Sequence, residues 1–138
     1  MPHGDRGWPY YDDILWWALA YLRAADMYAV RGDIQSIQLA ADMTNRSSKI
    51  FDHVAARAWN GTAAACGGGI WWSTSGGKNA VANELFFATA AKLGKVDWAR
   101  RVWSWFAKSG MINNQSLVND GLSDCKNNGN SKCTSSLR

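Results

Sequence analysis

Tyr10-Tyr11-Asp12-Asp13-Ile14-Leu15-Trp16-Trp17-Ala18-Leu19-Ala20-Tyr21 is the stretch whose reading decides the fold. Pro9 stands just ahead of it, and a helix-compatible run continues without a break to about Val30, where Gly32 supplies a C-terminal stop. Asp12 and Asp13 therefore fall in or near a first helical turn. From Ile14 to Leu22 all nine positions are apolar or aromatic. A helix of that kind is expected to be covered on all sides, as an inner helix of a layered bundle is. The run is about half of what a bilayer-spanning helix needs, so it reads as core, and membrane association is not indicated.

Working outward, Asp33 is placed to cap a second helix, with apolar positions Ile34, Ile37, Ala41, Ile50, Phe51, Val54 and Ala58 mostly at three- and four-residue steps. It should end near Trp59 and Asn60, with a fray or kink at the polar stretch from Thr44 to Lys49. Gly61 to Gly77 contains six glycines and the adjacent Trp71 and Trp72 with no helical period, which reads as a long ordered loop. Third and fourth helices are expected from about Asn79 to Leu93 and Asp97 to Ser109, closed by Gly94 and Gly110. Beyond Met111 the chain turns polar, and strand character is confined to a short stretch around Ser116 to Val118. The expected fold class is all-α: about four helices in two short-linked antiparallel pairs with a long Gly/Trp-rich loop. Toroidal α/α barrels and α-solenoids are both built from such pairs.

At 138 residues and 47% hydrophobic content, the chain suits one domain or part of one. Its formal charge of +4 is scattered, and the densest basic cluster is Arg100 with Arg101, which is no nucleic-acid patch. Cys66, Cys125 and Cys133 have no metal-ligand spacing, and His3 and His53 lie far from them, so neither metal nor cofactor is expected. Three cysteines fit a secreted protein with one disulfide as well as they fit buried cytosolic thiols. The first eleven residues lack a basic segment leading into an apolar one, so no signal peptide is expected in this chain. Nine tryptophans exceed what an ordinary core requires. Most are expected to be buried, yet flat amphipathic rings also stack on sugar faces.

Glycoside hydrolysis with retention needs two carboxyl groups about 5 Å apart, one attacking the anomeric carbon and one protonating the leaving oxygen. Adjacent aspartates satisfy this, since neighbours on a helix point about 100° apart and short side chains still converge on one sugar. A helix N-terminus favours the charged form of the attacking group, and neighbouring rings disfavour charge on its partner. An Asp-Asp pair at a helix start is, by itself, more often simple capping and dipole complementarity.

The company the pair keeps is more specific. The Tyr10–Tyr21 block resembles the catalytic helix of glycoside hydrolase family 76, the endo-α-1,6-mannanase family. Cys66-Gly67-Gly68-Gly69-Ile70-Trp71-Trp72 is similar to a signature of that family, as is Lys78-Asn79-Ala80-Val81-Ala82-Asn83-Glu84-Leu85-Phe86 after it. Trp103-Ser104-Trp105-Phe106, Ser109-Gly110-Met111-Ile112 and Val118-Asn119-Asp120-Gly121-Leu122 continue the pattern. One departure is Gly77, where the family commonly has Tyr.

The resemblance implies a fragment of an (α/α)6 barrel, acting within α-1,6-linked mannan with retention and without a metal. Residues 1–138 would be part of one catalytic domain, with apolar surface exposed where further helices belong. Asp12 would be the nucleophile and Asp13 the general acid/base. Tyr11, Trp16, Trp71 and Trp72 would line the sugar site, and Gly68 and Gly69 would let backbone approach it. Asn79 and Asn83, one turn apart, would face the cleft together, unless Asn79 only caps its helix. Asp120 would bind a mannose hydroxyl, unless its Asn-Asp-Gly setting is only a turn. Cys66 and Cys125 would form a disulfide, which requires Cα atoms within about 7 Å. The implied partner is an α-mannan polysaccharide or oligosaccharide, and the implied location is extracellular or in the cell wall. A wall transglycosidase and a non-catalytic mannan-binding protein share these features.

Overall fold

The computed structural model describes residues 10–126. His3 and Cys133 lie outside that range. Four helices follow one another: α1 (Tyr11–Arg31), α2 (Ile34–Ala58), α3 (Ala80–Lys92) and α4 (Val96–Phe106). A two-stranded antiparallel sheet joins β1 (Gly77–Asn79) to β2 (Gly121–Lys126). The described chain is all-α apart from this small sheet, as expected.

Local chemistry sets the helix ends. Gly32, at φ 73°, closes α1, and the Asp33 carboxylate then accepts the Ser36 N–H at 2.9 Å to start α2. So tight a connection makes α1 and α2 an αα-hairpin. Leu93, Gly94 and Lys95 connect α3 to α4, with Gly94 at φ 69° and no side-chain cap from Lys95. Helix α2 runs unbroken through Thr44 to Lys49. The expected kink is absent because this polar stretch still places Ser47 inward, next to buried Ile50, Phe51 and Val54.

Helix α1 packs on both α2 and α3. At the centre Phe51 stacks on Phe86 at 4.4 Å, and the edge of Trp98 meets both rings. The expectation of an α1 covered on all sides is not met. Ile14, Leu15, Ala18, Leu22 and Ala25 are buried, whereas Trp16 and Trp17 are 56% and 53% exposed. A hairpin partner and one further helix cover a single stripe, and the opposite face has no neighbour among the described residues. Met27, Val30, Ile34 and Ile37 are exposed as well. Likewise only Trp71 and Trp105 of the described tryptophans are buried.

The strands differ from expectation too. Val118 makes only an isolated bridge with Ile112, and the real strand is β2, pairing Asn79 with Gly121 and Gly77 with Lys126. Gly77 is required by that pairing: a Cβ there would lie 2.9 Å from the Cys125 carbonyl oxygen. No helix among the described residues is long and apolar enough to cross a membrane.

Candidate active site

The Gly/Trp-rich loop folds back onto the first turn of α1, and Trp72 makes the junction. Its carbonyl accepts the Tyr11 N–H at 2.8 Å, satisfying a donor that every helix start leaves open. Its indole N–H donates to Asp12 Oδ2 at 3.0 Å. Its ring lies 4.6 Å from that of Tyr10, and Tyr10 bridges to Ser73 beside it. Asp12 Oδ1 also accepts the Asp13 N–H at 3.1 Å, so both oxygens of Asp12 are held. Asp13 is exposed, and among the described residues nothing bonds to its side chain. One carboxylate is thus fixed in orientation and its neighbour is free to turn. Trp16 and the partly exposed Trp72 leave apolar ring surface in solvent. Tyr11 is buried, and burial pushes its phenol above the ordinary value while the charge of Arg57 opposes that.

The rest of the loop is held from beneath by Lys78. This side chain is 1% exposed, and its ammonium donates to the carbonyls of Asn60 (3.1 Å), Ala65 and Gly68. It also lies 4.5 Å from the Trp71 ring centre and 5.5 Å from that of Trp105. Burial pushes its pKa down to about 7. Three donors, three carbonyls and two ring faces gather the loop around one cation.

Gly68 and Gly69 make a close contact within the protein itself. Trp105 of α4 lies flat against their backbone, and a Cβ on Gly69 would meet its six-membered ring at 2.4 Å. Trp105 Nε1 donates to the Cys66 carbonyl at 2.8 Å. The close approach that glycine permits is made here by the protein's own indole. Trp71 is buried beneath the loop, in the anchoring position, whereas Trp72 reaches the carboxylate.

Asn79 and Asn83 do not face a cleft together. Asn79 caps α3, accepting the Ala82 N–H at 3.2 Å. Asn83 is fully buried: its amide accepts from Ile70 N at 2.7 Å and donates to the carbonyls of Ile70 and Asn79. This braces the loop against α3, leaving no polar group of Asn83 for a ligand. The Asp120 side chain is exposed, while its carbonyl accepts the Ala80 N–H at 2.8 Å. Cys66 and Cys125 are joined in a disulfide with Cα atoms 6.4 Å apart, tying the loop to β2.

Lys78 and Trp105 escape sequence reasoning. A lone lysine after two glycines carries no sign of burial, and a tryptophan on an amphipathic helix reads as ordinary core. No group of three or more His, Cys, Asp or Glu side chains among the described residues is placed to hold a metal ion. Two depressions, of about 410 and 440 Å³, lie elsewhere, and neither is lined by Asp12 or Asp13.

Residues 1–136 match the model of glycosyl hydrolase family 76. Over 127 residues the chain is 31% identical to the mannan endo-1,6-alpha-mannosidase DCW1 of Saccharomyces cerevisiae, an alignment covering 81% of this chain and 27% of that protein. The chain therefore spans about a quarter of the length of that curated relative. With the match running almost end to end, the chain belongs to glycosyl hydrolase family 76.

Proposed function

We propose that this chain carries the catalytic carboxylates of a glycoside hydrolase that cleaves within α-1,6-linked mannan with retention of configuration. The observation that carries the reading is the hydrogen bond from Trp72 to Asp12, which holds one carboxylate of the adjacent pair while the other is exposed. In a double displacement the two groups have different tasks. Asp12, held on both oxygens, attacks the anomeric carbon and forms a glycosyl ester as the leaving-group oxygen takes the Asp13 proton. Asp13 then removes a proton from water, which displaces the sugar from Asp12 and restores both groups. Support for mannan comes from the named relative and the family, and the exposed rings of Trp16 and Trp72 offer stacking surface for a hexose. Work outside the cell, at the wall, accords with the Cys66–Cys125 disulfide, because such bonds persist in oxidising compartments.

Linear α-1,6-mannan incubated with the chain, with Asp12→Asn and with Asp13→Asn tests this reading. Shortened chains are expected from the unsubstituted protein alone, with both variants still bound to the polymer. If the unsubstituted chain binds mannan without shortening it, the non-catalytic binding reading holds instead. Products longer than the starting chains would point to transfer onto sugar in place of water.

A further inference from the structure

Beside the loop lies the depression of about 440 Å³, lined by Trp59, Gly61, Gly67, Arg101, Trp105 and Lys108 among others. Ser104 and Trp105 lie three and four residues after Arg101, and Lys108 lies four and three after them, which brings these residues onto one side of α4 and its continuation. The Arg101 guanidinium lies over two indoles, 4.9 Å from the Trp59 ring centre and 5.1 Å from that of Trp98. Stacking of this kind fixes the plane of the guanidinium and leaves its N–H edge available. None of the ion pairs among the described residues involves Arg101 or Lys108, and no carboxylate lines the depression.

One further group lacks an expected partner. Trp59 Nε1 is buried with no hydrogen-bond acceptor, which costs free energy in a folded protein. It converges with Arg101 on one point: the position a Cβ would take on Gly61 lies 3.4 Å from Trp59 Nε1 and 3.8 Å from Arg101 Nη2. Glycine keeps that point free of side chain. Donors without acceptors, two cations without anions and two serine hydroxyls surround the same space.

We propose that this depression is a binding site for an oxyanion of the phosphate class, free or carried as a phosphate ester on a sugar. The Arg101 fork grips two oxygens of the anion, Lys108 supplies the second charge, and Ser104 donates from the rim; the Ser109 hydroxyl is already donated to the Phe106 carbonyl. A small movement of Arg101 opens Trp59 Nε1 to the same oxygens. This site is independent of the hydrolytic reading, since neither aspartate lines it.

Thermal melting and calorimetric titration of the full chain test the proposal. The probes are inorganic phosphate, mannose 6-phosphate, mannose and sodium chloride at matched ionic strength. Phosphate and mannose 6-phosphate are expected to raise the melting temperature above the chloride control, with mannose inert. Arg101→Met with Lys108→Met is expected to weaken binding about tenfold or more, since charge-assisted hydrogen bonds are lost. Lys108→Ala alone touches no stacked ring, so it keeps the test readable if the double variant is unstable, and it should weaken binding severalfold. A stronger response to mannose 6-phosphate than to phosphate identifies the sugar ester as the ligand, and equal responses identify the free anion. Phosphate acting no better than chloride, mannose binding as well as its phosphate, or unchanged affinity in Lys108→Ala would overturn the proposal.

Discussion

Trp72 and Asp12 are sixty positions apart in sequence and 3.0 Å apart in space, with the indole N–H of the first donating to Oδ2 of the second. The same tryptophan caps the helix on which Asp12 sits. Orientation of the carboxylate and the start of α1 therefore depend on one loop residue. Trp72→Phe separates these tasks, because the ring facing Tyr10 and the carbonyl both remain while the N–H is lost. Under the proposed hydrolysis, kcat should fall about tenfold to a hundredfold, from one missing hydrogen bond to a charged group. The melting temperature should move by only a few degrees. An unchanged kcat would show that Asp12 needs no such support.

Lys78 gives the fold a pH dependence. With a folded value near 7 against 10.5 for the free side chain, folded and unfolded chains are both protonated well below pH 7. Between those values the unfolded chain holds a proton that the folded chain has released, so stability should rise with pH across this window and level off above it. The slope attributable to Lys78 should reach at most about 1.4 kcal/mol per pH unit. Urea unfolding at pH 6, 8 and 10 measures it, and subtracting the same series for Lys78→Met isolates it. Parallel curves for the two proteins would mean that Lys78 does not titrate in this range.

Gly69→Ala places a methyl group inside van der Waals range of the Trp105 ring, at a backbone φ of 86° that side chains rarely adopt. A loss of about 2 to 4 kcal/mol is expected from the clash and the strained dihedral together. Trp105→Ala costs stability on its own, about 3 kcal/mol or more. Combined, the two should cost clearly less than their sum, because the smaller residue removes the clash. Additive losses in denaturant unfolding would show that the two surfaces do not meet.

The Cys66–Cys125 bridge spans 59 positions. Closing a loop of that size restricts the unfolded chain by about 4 kcal/mol. Cys125→Ser should lower stability by about 3 kcal/mol. Loss should be read first at the loop, as faster proteolysis between Gly61 and Gly77, since α1 and α2 do not depend on the bond. A reductant should reproduce the effect in the unsubstituted chain and add nothing to the variant.

Helices were legible in the sequence because local chemistry punctuates them. Gly32, Asp33, Asn79 and Gly94 each sit where a helix must stop or start, and the observed ends fall within a few residues of the expected ones. The sheet was hidden because β1 has three residues and β2 lacks the alternation that marks a half-buried strand. Coverage of α1 is not legible in the sequence for a different reason. Composition states which residues tolerate burial, and only the number of neighbouring helices decides which are buried. At the candidate site the adjacency of Asp12 and Asp13 is plain in one dimension. What surrounds them is not: Trp72 on Asp12, Asn83 on Ile70 and Trp105 on Gly69 are contacts between distant positions, and no local pattern encodes them.

Lys78, Trp105 and Cys125 all hold the glycine loop, and all follow it in the chain. A nascent polypeptide emerging from the ribosome can close α1 on α2 as soon as Ala58 is free. The loop has to wait until Cys125 has been made. The helical hairpin is then ready before the loop that meets Asp12, and that loop is the last region to take shape.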